Sequence, residues 1–76
     1  MSALARLRTL SGAAVCRILE DNAFKLVRQR GSHAIMQKAV SGSSVTVPVP
    51  LHDELRTGTL LAIVRQSGLP RSLFEA

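Results

Sequence analysis

The period of the apolar pattern changes twice along this chain, and those changes constrain the fold more than any single residue does. From Ser11 to Asn22, SGAAVCRILEDN places Ala14, Val15, Ile18 and Leu19 at the i, i+3, i+4 spacing of a helix with one buried face. Ser11 stands where an N-cap oxygen would accept from the first turn. From Phe24 to Arg30 the pattern becomes FKLVRQR, with Phe24 and Leu26 on either side of Lys25, which predicts a strand. The first helix therefore ends by Ala23. Gly31-Ser32 separates this run from HAIMQKA, and glycine at the first central position suits a two-residue type II′ hairpin turn. In that register Arg30 faces His33 and Arg28 faces Ile35.

A second polar turn, SGSS at Ser41 to Ser44, leads into VTVPV, where Val45, Val47 and Val49 share a face. Pro48 has no N–H to give a ladder, so this third strand lies at an edge or ends there. Pro48 and Pro50 predict extended chain through Leu51 and His52. A second helix starts at Thr57 or Thr59, buries Leu60, Leu61, Ile63 and Val64, and stops at Gly68. Pro70 opens a short helical tail over 70–76, in which Leu73 and Phe74 are expected to tuck onto the core. The fold class is α+β: α-β-β-β-α, a three-stranded antiparallel meander with two helices packed on one face. Residues 1–76 form one domain, with 1–7 expected to fray.

A chain of 76 residues buries only ~60% of the surface its unfolded form exposes, so its core is modest. Its mean hydropathy of +0.20 excludes a disordered tail. The single cysteine, Cys16, excludes a disulfide framework and a cysteine-rich zinc site. No run approaches the ~20 apolar residues of a membrane span, and MSALARLRTL lacks the apolar stretch of a secretory signal. A cytoplasmic location is expected. Ten Lys and Arg against five Asp and Glu give a net charge of +5, which points to a polyanionic partner. No acid lies between Asp21 and Asp53, whereas Lys25, Arg28, Arg30 and Lys38 all fall in that interval. The hairpin is thus a candidate positive patch.

His33 is the one residue there suited to proton transfer. Cleaving RNA by attack of a ribose 2′-OH needs a base for that hydroxyl, positive charge on the phosphate and a proton for the departing 5′ oxygen. An imidazole matches such transfers near neutral pH, and arginines beside it can hold the phosphate. Arg28, Arg30 and His33 fall on one sheet face if no bulge intervenes. Read on its own, a single histidine in a short domain is most simply a surface or capping residue, and Gly31 a turn residue. His52 precedes Asp53 and Glu54 and is the weaker candidate. The spacing of Cys16, His33 and His52 does not suggest a metal site, and no cofactor motif is present.

Several stretches together resemble a known family. LRTLSGAAVCRILEDNAFKLVRQRGSHAIM and VTVPVPLHDELRTGTLLAIVRQSGLPRSLF are similar to HicA toxins, the mRNA interferases of HicA-HicB toxin-antitoxin modules, over Leu7 to Phe74. The specific pieces are Arg28, Gly31, Ser32 and His33, then Val47-Pro48, then Gly58-Thr59-Leu60 with Ile63, Gln66 and Gly68. The resemblance implies a double-stranded-RNA-binding-domain-like fold, RNA cleavage dependent on His33, and neutralisation by an acidic HicB-type antitoxin. Two departures stand out. Ala23 occupies a position where the family commonly has glycine, which predicts a less left-handed or longer helix exit. The run after the histidine strand is short. The candidate site is then His33 in catalysis, with Lys25, Arg28, Arg30, Ser32 and Lys38 on RNA and Gly31 shaping the turn. The alternatives are a non-catalytic RNA-binding module and a module that docks an acidic partner.

Overall fold

The computed structural model describes residues 6–76. Its elements are α1 (Gly12–Asp21), β1 (Lys25–Arg30), β2 (His33–Val40), β3 (Ser43–Pro50), α2 (Thr57–Ser67) and a closing 3-10 turn (Arg71–Phe74). The strands form one antiparallel sheet in the order β1-β2-β3, so the expected α-β-β-β-α arrangement holds. Both helices supply the core: Val15 and Leu19 from α1 and Leu60 and Ile63 from α2 join Ala34, Met36, Val47 and Val49 of the sheet. Full burial of such side chains contributes about 1.5–3 kcal/mol each.

Local chemistry explains the ends of the helices. The Ser11 side chain accepts from the Ala14 N–H at 3.0 Å, capping α1. At the other end Ala23 adopts φ +73, and this corrects the expectation that alanine there would relax the left-handed turn. The Phe24 N–H donates to the Leu19 carbonyl at 3.0 Å and the Ala23 N–H to Glu20 at 3.3 Å, the paired bonds of a Schellman ending. Those bonds, with Phe24 driven fully into the core, outweigh a left-handed cost of about 1–2 kcal/mol. Helix α2 ends at Gly68, φ +70. It begins at Arg56 without a side-chain cap.

The sheet departs from a simple alternation at one place. Leu26 pairs with Met36 and Arg28 with Ile35, leaving Val27 as an extra residue. A one-residue insertion reverses the face of everything beyond it. Leu26 thus lies on the helix-covered side with Met36, whereas Arg28 and Arg30 turn to the opposite side. β3 is an edge strand as expected, but it continues to Pro50, opposite His33.

The chain ends are tied together. Leu7 bridges Glu75, the Arg8 N–H donates to Phe74, and the Ala76 N–H donates to Arg6. Fraying over 1–7 therefore does not apply to Arg6 and Leu7, and 1–5 lie outside the described residues. Phe74 is fully buried, but Leu73 stays 36% exposed and does not tuck in. No helix among the described residues is long and apolar enough to cross a membrane.

Candidate functional site

The β1–β2 turn sets the site. Gly31 has φ +57 while Ser32 stays at negative φ, the pattern in which only the first central residue of the turn needs left-handed freedom. The Gln29 side chain closes the turn, donating to the Gly31 carbonyl at 3.0 Å. Arg30 then lies directly opposite His33, and Arg28 opposite Ile35, as the sequence register predicts. The Val27 bulge falls before Arg28, so it leaves that register intact.

Side chains directly opposite in an antiparallel pair have Cβ atoms ~4.5–5.5 Å apart. Arg30 and His33 are such a pair on the solvent side of the sheet, with Arg28 one pleat further along β1. Lys25 pairs with Gln37 and belongs to the same side, roughly 14 Å along the strand from the His33 end at ~3.4 Å per residue. Lys38 does not join them. It pairs with Val45 on the helix-covered side, and its ammonium sits 5.7 Å from the Phe24 ring centroid, a cation–π contact. The strands from Lys25 to Pro50 hold no acid, so nothing on this sheet neutralises the arginines.

The backbone around His33 is pinned from three directions. The Leu51 N–H donates to the Ser32 carbonyl at 2.6 Å and the Gly12 N–H to the His52 carbonyl at 2.9 Å. Gly12 is packed so closely that a Cβ there would lie 2.0 Å from the Pro50 oxygen. The N-terminus of α1 thereby fixes the end of β3, and β3 fixes His33 through the Pro50 pairing. Rigid support of this kind holds an exposed side chain in place at little entropic cost.

His33 is exposed and borders two hollows. One, of about 550 Å³, runs over the sheet past Arg30, Gly31, Ile35 and Pro48. The other, of about 410 Å³, lies between β3 and α2, with Pro48 and Pro50 as its floor. Gly58, Thr59, Ala62 and Gln66 form its wall. Gly58, Thr59 and Gln66 entered the sequence reading only as pieces of the resemblance, without a role at the site, and Ala62 not at all. The available signal was their spacing, which puts small and polar groups along one flank of α2 beside its apolar stripe. His52 lines neither hollow. Among the described residues, no three His, Cys, Asp or Glu side chains converge on a metal position. Cys16 lies on α1, where burial, and then the Glu20 carboxylate, push its thiol pKa up.

The family model for the HicA toxin of bacterial toxin-antitoxin systems matches residues 12–69. The chain belongs to the HicA toxin family. Membership makes it the toxin of a toxin-antitoxin module, with an antitoxin as its partner. The HicA match runs from the first residue of α1 past the end of α2, so it includes both arginines, His33 and the α2 wall. No curated protein and no solved structure matches the chain.

Proposed function

We propose that the chain is an mRNA interferase, an endoribonuclease that cleaves RNA by metal-independent attack of the ribose 2′-OH, with His33 in proton transfer. The observation that carries this reading is the direct pairing of Arg30 with His33 on an acid-free face, at the junction of two hollows. A phosphate lying across that pair would meet the Arg30 guanidinium, and Arg28 one pleat on would hold its neighbour. Lys25 extends the track along the same side, and Ser32 can donate to a phosphate oxygen at the turn. Lys38 on the opposite side has no part in this contact.

In the reaction the 2′ oxygen bonds to phosphorus as the P–O5′ bond breaks, giving a 2′,3′-cyclic phosphate and a 5′-hydroxyl. His33 takes the 2′ proton or delivers one to the 5′ oxygen. The arginines stabilise charge that develops on the phosphoryl oxygens, the largest single contribution available to such a site. An acidic antitoxin would silence the toxin by covering the same positive face, and its binding would also stabilise so small a domain by mass action.

The test is His33→Ala, measured for both RNA cleavage and RNA binding. Cleavage should fall by at least 10²-fold, the scale of a lost proton-transfer group, with affinity for RNA and the melting temperature retained. Unchanged cleavage would remove His33 from the mechanism. Binding without cleavage by the wild type would leave the non-catalytic alternative.

A further inference from the structure

The hollow between β3 and α2 differs in kind from the one over the sheet. The sheet-side hollow has Arg30 at its edge and suits a phosphate. The α2-side hollow has no Lys, Arg, Asp or Glu in its lining: its floor is the two proline rings, with Ala62 and Ile63 behind them and Thr59 and Gln66 at the wall. A flat, largely apolar group with a polar rim fits such a lining, and on an RNA strand that group is a base. Single-stranded RNA is read through unstacked bases hydrogen-bonded along their edges.

Gln66 is the group placed to read one. The chain has three glutamines, and two are already engaged: Gln29 donates to Gly31 and Gln37 to Thr46 at 3.1 Å. Among the described residues Gln66 alone of the three makes no side-chain hydrogen bond, and it alone lines a hollow beside His33. A carboxamide offers a donor next to an acceptor, the complement of a base edge that presents one of each. Thr59, two turns earlier on the same flank, adds a hydroxyl that can donate or accept.

We propose that this hollow seats one nucleobase next to the phosphate held at Arg30 and His33, and that Gln66 sets the toxin's base preference. The inference rests on the RNA-facing reading above. The proline rings serve as the apolar floor in place of an aromatic platform.

The experiment uses the full chain and uncleavable 2′-O-methyl pentauridine RNAs whose central base is A, C, G or U, so that it reads recognition apart from catalysis. The wild type should discriminate at least threefold among the four. Gln66→Ala should flatten that ratio and leave the slope of affinity against salt unchanged, since no phosphate contact is lost. Gln66→Glu, which only accepts, should move the preference towards guanine, whose edge presents two donors. Gln66 is exposed, so melting curves of the variants should match the wild type. Equal affinities for all four RNAs, or a ratio untouched by Gln66→Ala, would overturn the proposal. If the wild type cleaves nothing yet loses its base ratio on Gln66→Ala, the cleavage reading fails and the base site stands. If cleavage depends on His33 but the ratio is unmoved by Gln66→Ala, only the base site falls.

Discussion

The same substitution, glycine to alanine, should have opposite effects in the two helices, and the comparison tests how the site is held. In an open helix the change stabilises, because alanine loses less backbone entropy, by up to ~1 kcal/mol. Gly58 in the first turn of α2 has nothing within 4 Å of an added Cβ, so Gly58→Ala should gain about 0.5–1 kcal/mol. At Gly12 the added Cβ meets the Pro50 oxygen at 2.0 Å and the Leu51 Cα at 2.9 Å. These are backbone atoms with no rotamer to change. Parting them by roughly 1 Å carries an overpacking cost of about 1–3 kcal/mol. It also weakens the Gly12 bond to His52, worth a further ~0.5–1.5 kcal/mol. Set against the helix gain, Gly12→Ala should lose about 2 kcal/mol. For a domain of this size 1 kcal/mol moves the melting temperature by ~4–8 °C, so the two variants should melt on opposite sides of the wild type, with Gly12→Ala lower by roughly 8–16 °C. Urea unfolding followed by circular dichroism measures both. A Gly12→Ala protein as stable as the wild type would refute the claim that α1 is pressed against the end of β3.

Three further outcomes follow from particular residues. Ala23→Gly should raise stability by about 0.5–1 kcal/mol in the same urea assay, because glycine adopts φ +73 without the Cβ penalty; a loss of stability would mean that the Schellman exit is not strained. Arg30→Gln should lower the slope of log affinity for single-stranded RNA against log salt by about 0.7, one phosphate contact, whereas Lys38→Gln should leave the slope unchanged, and equal effects would contradict the assignment of the two to opposite sides. Cys16 should alkylate with iodoacetamide at a higher pH than free glutathione, because burial and Glu20 raise its pKa. The unfolded chain therefore loses that thiol proton first, so Cys16 costs no stability below the ordinary thiol range and some as pH rises above it. A midpoint at or below that of glutathione would be inconsistent with its packing.

Much of the scaffold was legible because its signals are local. The Ser11 cap, the Gly31-Ser32 turn and the Gly68 stop each depend on a few neighbouring residues, and the two-residue turn alone fixes the Arg30–His33 pairing. The Val27 bulge was not legible: it is a choice of pairing between strands, and FKLVRQR reads equally well with or without it. Ala23 misled because alanine disfavours positive φ as an isolated residue, whereas here two backbone bonds and the burial of Phe24 decide. The side on which Lys38 lies was legible as well. Lys38 is five residues from His33 on one strand, an odd number, and so must face the other way. The place of the α2 wall at the site was not legible, because the nearness of Gln66 to His33 exists only after α2 folds back beside β3.

The measurement that bears most directly on the account is the chemistry of the RNA ends. Wild type and His33→Ala would be incubated with a long single-stranded RNA in excess chelator, and the new 3′ termini identified. The account predicts 2′,3′-cyclic phosphates from the wild type and intact RNA from the variant. Fragments ending in 3′-hydroxyls, or cleavage by the wild type that chelator abolishes, would contradict it.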